Sequence, residues 1–386
     1  MAVGIDGRGP LSILPVRDRR DLKGFIGVTR EVYRDDPLWV QPLTFERLDH
    51  LNAKKNPFMR SIEAAYWTAF RGPRPVGRIG AQVNQAHLAR YADATGHFGF
   101  FECLDDPDAA RLLTETAEVW LRAKGMRRAV GPLSPSINDE AGLLVEGFST
   151  PPYVMMPHGR PCYDRLLQDL GYAKEKDLIA YAFDATVPWP APGLALYERL
   201  KAMPGIAFRH LDMKRYKAEI HLICDIFNDA WAENWGFIPF GEAEAQYLAA
   251  SIRPIVASDM FAIGELNGEP VAMTVVLPNL NEAIRGLDGR LLPFGWAKFL
   301  WRLKVAGVKS MRMPLMGVRR HLQNTRAGAA LALGVIEKVR VSAVRRGIER
   351  GELSWILEDN PRIQGLIETV GGRPYKTYRI YAKPLL

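Results

Sequence analysis

The stretch Pro161–Tyr181, PCYDRLLQDLGYAKEKDLIAY, returns 200 residues later as Pro361–Tyr381, PRIQGLIETVGGRPYKTYRIY. With no gap, Pro161 falls on Pro361, Leu166 on Leu366, Gly171 on Gly371, Lys176 on Lys376 and Tyr181 on Tyr381. Each copy carries the pattern of a short helix, a glycine stop and a strand. Upstream, GPRPVGRIGAQVN (Gly72–Asn84) parallels NGEPVAMTVVLPN (Asn267–Asn279), a turn followed by a Pro-Val pair and a strand. Before those, Arg17–Val40 and Leu211–Trp235 each give a charged start, an apolar-periodic helix and a tryptophan. The shared order of elements indicates a tandem duplication. Its seam is FDATVPWPAPG (Phe183–Gly193), where prolines follow a strand and precede a new helix. Two α/β domains are expected, residues 1–190 and 191–386, each a mixed central β-sheet flanked by helices.

Two domains also suit the length of 386 residues. Hydrophobic content of 48% and charged content of 24% are those of a folded globular chain. The formal charge of +8 suits anionic partners such as nucleic acid, acidic lipid or a phosphate-rich ligand. Cys103, Cys162 and Cys224 are far apart and form neither a disulfide framework nor a metal-binding spacing, which fits a reducing cytoplasm. The N-terminal residues show no secretory signal, and no apolar run reaches the ~18 residues of a spanning helix.

The chemistry-bearing stretch is VKSMRMPLMGVRRHLQNTRAGAALALGVIEKV, Val308–Val339. A strand through Val318 leads to a cationic loop, and TRAGAAL opens a long helix. Small residues at such a junction let backbone N–H groups approach an anion, and the helix dipole places about half a positive charge there. Arg319, Arg320 and Arg326 are positioned to add ion pairs to phosphates. Close helix packing selects the same small residues, so both readings stand on this evidence.

Tandem α/β halves with this strand–loop–helix resemble the GCN5-related N-acetyltransferase (GNAT) superfamily. The resemblance implies that Thr325, Arg326, Ala327, Gly328, Ala329 and Ala330 receive the pyrophosphate of an acyl-coenzyme A, with threonine where the family pattern has Gln or Arg. It further implies Asn360 as the asparagine of the next motif, EDNPRIQGLIETVGG, while Ile367 stands where many members carry a tyrosine acid. A backbone N–H near Gly317 and Val318 is the expected donor to the thioester carbonyl. The first half keeps the fold, but Asp105, Asp106 and Asp108 open its equivalent helix. Three carboxylates repel a pyrophosphate, so that half is expected to bind no cofactor. NDEAGLLVEGF, FNDAWAENWGFIPF, LPNLNEAI and LDGRLLPFGWAKFL resemble the tandem branch that includes bacterial ceramide synthases. This implies transfer of a fatty acyl group from acyl-CoA to the amine of a sphingoid base, without a metal.

An attacking amine must lose a proton. Glu282 past the LPNLN strand end, Glu358 at the end of ELSWILED, Glu140 and His321 are the candidates by position; each has an ordinary alternative as a cap or surface residue. Trp231, Trp235, Phe237 and Phe240 suit an alkyl chain or ordinary aromatic packing. Asn228, Asn234, Asn279 and Asn281 are candidate polar contacts to the acceptor.

LLPFGWAKFLWRLKVAGVK, Leu291–Lys309, remains. At 100° per residue, Trp296, Phe299, Leu300 and Leu303 share a face, Trp301 flanks it, and Lys298, Arg302 and Lys309 lie opposite. A basic amphipathic helix either packs on its own core or lies in a membrane interface. Poorly soluble substrates favour docking at the inner face of the cytoplasmic membrane. Nucleic acid is not expected as a partner, since no long cationic stripe is evident. Rival readings are an aminoacyl-tRNA-dependent or small-amine acyltransferase of the same superfamily, and a non-catalytic acyl-CoA or lipid-binding module.

Overall fold

Residues 9–385 are described in a computed structural model. The chain begins β1 (Leu11–Pro15), α1 (Arg19–Val32), α2 (Thr44–His50), α3 (Phe58–Ser61), β2 (Ile62–Arg71) and β3 (Arg74–Asn84). It continues α4 (Gln85–Tyr91), β4 (Thr95–Cys103), α5 (Pro107–Ala123), β5 (Arg128–Gly131), β6 (Leu133–Ser134), β7 (Glu140–Ala141) and β8 (Leu143–Glu146). Then come α6 (Cys162–Asp169) and β9 (Ala173–Asp184). The second half follows with α7 (Ala191–Leu200), β10 (Ile206–His210), α8 (Tyr216–Ala230), α9 (Glu242–Ile252), β11 (Phe261–Leu266) and β12 (Glu269–Pro278). Last are α10 (Leu280–Ile284), α11 (Gly295–Trp301), β13 (Ser310–Val318), α12 (Arg326–Arg345), β14 (Arg350–Leu357), α13 (Pro361–Thr369) and β15 (Arg373–Pro384). β9 and β15 are offset by 200 residues, as the sequence repeat requires, and the mixed α/β architecture is the expected one.

Two compact units emerge. The first runs to Asp177 and includes Gly286–Arg290 and the chain from Thr377 onward; the second holds Leu178–Arg285 and Leu291–Lys376. In the first unit β1, β2, β3 and β4 are antiparallel neighbours, β4 and β5 are parallel, and the end of β15 closes on β5 with Tyr381 opposite Gly131. In the second, β10, β11, β12 and β13 are antiparallel, β13 and β14 are parallel, and the end of β9 closes on β14 with Asp184 opposite Arg350. Each unit therefore contains the final strand of the other half of the sequence.

Local chemistry explains the elements. Asp18 caps α1 by accepting from Arg20 N at 2.7 Å and Asp21 N at 2.9 Å, and the helix buries Phe25, Ile26, Val28 and Val32. Helix α5 presents Ala109, Ala110, Leu113, Ala117 and Leu121 to the sheet at helical spacing, all of them buried. Among the described residues no helix is long and apolar enough to cross a membrane.

Candidate active site

The site of the second unit begins with a failure of pairing. β13 and β14 pair from Ser310 opposite Arg350 to Met313 opposite Leu353, and no further. The next residue of β13 is Pro314, which has no N–H to give a neighbour. Each strand also carries an extra residue against its other neighbour, shown by register shifts between Val275 and Leu277 and between Leu353 and Ile356. The strands part, and a cavity of about 320 Å³ opens between them. Met313, Met316, Gly317 and Val318 form one wall and Leu353, Ser354, Trp355 and Ile356 the other, with Ile336 and Leu366 among the apolar lining.

Helix α12 points its N-terminus at this opening, and Gly328 and Ala329 line it. Thr325 caps the helix, accepting from Gly328 N at 3.0 Å while its hydroxyl donates to the Leu322 carbonyl at 2.8 Å. A Cβ on residue 328 would lie 2.0 Å from that same carbonyl oxygen, so only glycine allows the loop to close on the helix. First-turn N–H groups of a 20-residue helix and an apolar slot between strands form a cradle for an anion with an alkyl tail.

The aromatic segment after α8 is organised around Phe227, whose ring packs on Trp231, Phe237 and Phe240. Trp231 also meets Trp355 edge-on at 6.0 Å and donates Nε1–H to the Met316 carbonyl at 3.2 Å. This holds α8 against the open strand, and Gly317 permits the approach: a Cβ there would be 2.9 Å from that of Ala230.

No family model matches the chain. It is 44% identical over 377 residues to a protein of Caulobacter vibrioides named bacterial ceramide synthase, covering 97% of this chain and 98% of that one. It is also 43% identical to Protein YghO of Escherichia coli, over 95% of this chain and 94% of the relative. The chain belongs to the bacterial ceramide synthase family. Solved structures show where that family sits among folds. A tandem GNAT protein from the clavulanic acid biosynthesis pathway, solved without acetyl-CoA, matches with a TM-score of 0.56 at 12% identity, covering 98% of this chain and 99% of the other. A GCN5-related N-acetyltransferase from Sphaerobacter thermophilus matches with a TM-score of 0.53 at 11% identity, over 97% and 96%. The chain thus has the tandem GNAT fold that its sequence resembles.

In this family member, the cavity gathers Gly317, Val318, Gly328, Ala329, Asn360, Trp231 and Asn234 from the candidate set. Asn360 is also the cap of α13, accepting from Ile363 N at 3.3 Å. Thr325, Arg326, Ala327 and Ala330 belong to the helix start but do not line the cavity. Arg319 is paired with Asp225 at 2.6 Å, and Arg320 with Asp229 at 3.4 Å and Glu233 at 3.2 Å, so the charge of both is already partly offset. Arg362, which the sequence reading passed over, lines the cavity and donates to the Asn324 side chain.

Other candidates lie elsewhere. Asn228 spends its amide on the Phe240 backbone, donating to O and accepting from N at 2.9 Å each. Phe237 and Phe240 pack on Phe227, and Trp235 does not reach the cavity wall. Glu282 accepts from Lys309 N at 2.7 Å and from the Ser310 hydroxyl, while Asn279 donates to Ser310 Oγ at 3.0 Å and accepts from Asn281 N at 3.3 Å. This cluster ties α10 to the first residues of β13. Six residues at ~3.3 Å each separate it from Met316, roughly 20 Å away. His321 is exposed, Glu358 follows the last cavity residue of β14, and neither lines the cavity. Glu140 is in the first unit, paired with Arg47 at 2.9 Å.

In the first unit β4 and β5 also stop pairing early, after His97 opposite Val130, but there the following chain fills the place. Phe100 N donates to Ser134 Oγ at 2.8 Å, and a Cβ on Gly99 would lie 1.8 Å from the Leu133 carbonyl oxygen. The chain after β5 thus lies directly on β4. At the start of α5, Asp106 is held by Arg71 Nη2 at 2.8 Å and Asp108 by the same nitrogen at 3.4 Å, and Asp105 pairs with Arg165 at 2.5 Å.

The sequence reading missed a buried polar cluster behind the cavity. Glu352, Ser354, Arg312 and Lys376 are 0%, 2%, 3% and 1% exposed. Ser354 Oγ donates to Glu352 Oε1 at 2.5 Å and accepts from Arg312 Nε at 2.9 Å. Arg312 Nε lies 3.9 Å from Glu352, and Tyr375 donates its hydroxyl to Glu352 Oε2. Burial pushes the Lys376 ammonium down to about 8, against the opposing pull of Glu352. Charged residues inside apolar strand patterns were the available signal: Arg312 in SMRMPLM and Glu352 in RGELSWIL.

Proposed function

We propose that the chain is an acyl-CoA-dependent N-acyltransferase that joins a fatty acyl group to the amine of a sphingoid long-chain base. The observation that carries this reading is the 44% identity across 97% of the chain to the protein named bacterial ceramide synthase. The cavity supports it. Acyl-CoA, a substrate rather than a resident group, fits the residues present: the pyrophosphate at the α12 first turn with Arg326 and Arg362 nearby, the thioester arm in the slot between β13 and β14. Backbone N–H groups of β13 beyond Pro314 are the donors for the thioester carbonyl. Trp231, Trp355 and Asn234 line the space for the acceptor. The first unit, with β4 covered by the chain after β5 and its helix start acidic, serves as a non-binding partner.

The acceptor and the acyl chain are lipids, and the protein offers a surface to meet them. Leu292, Phe294, Trp296, Leu300, Trp301 and Val305 are 81%, 79%, 50%, 45%, 57% and 72% exposed. They fall within fourteen residues that also carry Lys298 and Lys304. Each apolar side chain buried in a bilayer contributes about 1.5–3 kcal/mol, and each lysine near an anionic leaflet about 1 kcal/mol. We assign α11 and its flanks as a peripheral contact with an anionic membrane. The test is thiol release from acetyl- to long-chain acyl-CoAs with sphingoid bases and simple amines, with products identified by mass spectrometry. Amide formed from long-chain pairs supports the proposal. Amide formed only from acetyl-CoA and small soluble amines overturns it.

A further inference from the structure

We infer that Ser354 is the catalytic proton acceptor for the attacking amine, and that Glu352 behind it is the terminal base. The inference rests on the acyltransferase reading and supplies the base that reading lacks. Ser354 stands where the sheet opens, one residue beyond the last pair of β13 with β14, and forms part of the cavity wall. Two residues before it on the same strand, Glu352 shares its face. The hydrogen-bond direction is suited to a relay: Arg312 Nε donates to Ser354 Oγ at 2.9 Å, and Ser354 Oγ donates onward to Glu352 Oε1 at 2.5 Å. A second Arg312 nitrogen donates to the Ser354 carbonyl at 3.2 Å, which fixes the guanidinium against the strand.

Charged and hydroxyl-bearing side chains enclose Glu352. Facing it are Arg312 of β13, Tyr375 and Lys376 of β15, and Ser354 of its own strand. Buried ion pairs contribute little to stability compared with apolar residues of the same volume. Glu352, Ser354, Arg312 and Lys376, all buried beside a cavity, are therefore better explained by chemistry than by folding.

The step balances. The neutral amine adds to the thioester carbonyl and a C–N bond forms, leaving a proton in excess on nitrogen. That proton passes to Ser354 Oγ as the hydroxyl's own proton passes to Glu352 Oε1. The C–S bond breaks, sulfur leaves as thiolate, and the relay running backward returns the proton to sulfur. Amide and thiol are the products, and the Glu352 carboxylate is regenerated. No tyrosine acid is required at the position of Ile367.

The test measures kcat from pH 6 to 9.5 for wild type, Ser354→Ala, Ser354→Thr, Glu352→Gln and the Ser354→Ala/Glu352→Gln pair, with acyl-CoA affinity and thermal melting measured alongside. Removing either group is expected to lower kcat by about 10²- to 10⁴-fold, with acyl-CoA affinity within about threefold. The double variant is expected to be no slower than the worse single one, because the two act as one unit. Ser354→Thr keeps the hydroxyl and most of the activity. Glu352→Gln is expected to lose the neutral plateau, its residual rate climbing with hydroxide. If Glu352→Gln melts too early to assay, Ser354→Ala with its threonine control carries the test. A Ser354→Ala enzyme within threefold of wild type, or variants with an unchanged pH profile, would overturn the relay alone. A wild-type enzyme that turns over no donor–amine pair would overturn the functional reading and the relay together.

Discussion

At Gly328 the cradle depends on one missing carbon. Gly328→Ala places a Cβ 2.0 Å from the Leu322 carbonyl, so the loop must withdraw from the start of α12. The expected outcome is a tenfold or greater loss of acyl-CoA affinity by calorimetry, with the distant strands unaffected. Glu282 gives the opposite expectation. It ties Lys309 and Ser310 to α10, far from the cavity, so Glu282→Gln should leave kcat within threefold and lower the melting temperature by a few degrees. His97 offers a pH test in the first unit. Its ring is buried, with His87 edge-on at 4.7 Å, and burial followed by the charge of His87 pushes its pKa down to about 3. The folded chain then holds His97 neutral while the unfolded chain takes up a proton below about 6.5. Stability from this group is full above that pH and is lost as pH falls from there toward 3. Between pH 6.5 and 5 the loss is about 1.6 kcal/mol. Urea unfolding of wild type and His97→Gln at both pH values checks it: the variant should lose less.

Helix α11 shows what an element's periodicity leaves out. A regular wheel from Trp296 groups Phe299 and Leu303 with Trp296 and Leu300 on one face and sets Arg302 among the polar residues. In the structure the helix passes into a π turn over Arg302–Ala306. The wider turn shifts every later side chain. Arg302 turns inward, donating to the carbonyls of Ala283 at 3.1 Å and Arg285 at 2.6 Å, while Phe299 and Leu303 are half-buried. Trp296, Leu300 and Trp301 remain outside, joined by Leu292, Phe294 and Val305. Replacing Trp296, Leu300 and Trp301 together by serine is expected to weaken binding to vesicles containing anionic lipid at least 30-fold in co-sedimentation. The melting temperature should hold, because these side chains contribute little to the core.

At the scale of the molecule, the repeat was legible and its wiring was not. Residues 178–184 complete the sheet of the second unit, and residues 377–384 complete that of the first. A chain ended after residue 376 therefore strips the first unit of the strand on β5 and of Tyr381, which is fully buried in that unit's core. Loss of cooperative unfolding, followed by circular dichroism, is the expected result. For the same reason, neither 1–190 nor 191–386 expressed alone should fold to native stability.

Identity spacing at 200 residues, strand and helix periodicities, and small residues before α12 are local properties, carried in adjacent residues. They were enough for two α/β halves, for the placement of the helix start, and for the acidic start of α5. Which strands pair, where β13 and β14 part, and which charges meet behind the cavity depend on residues far apart in the chain. Ser354 lies 42 residues from Arg312, and Tyr375 is 23 from Glu352. No periodicity reports such distances, because these contacts arise only when the sheet assembles and excludes water from the groups it encloses.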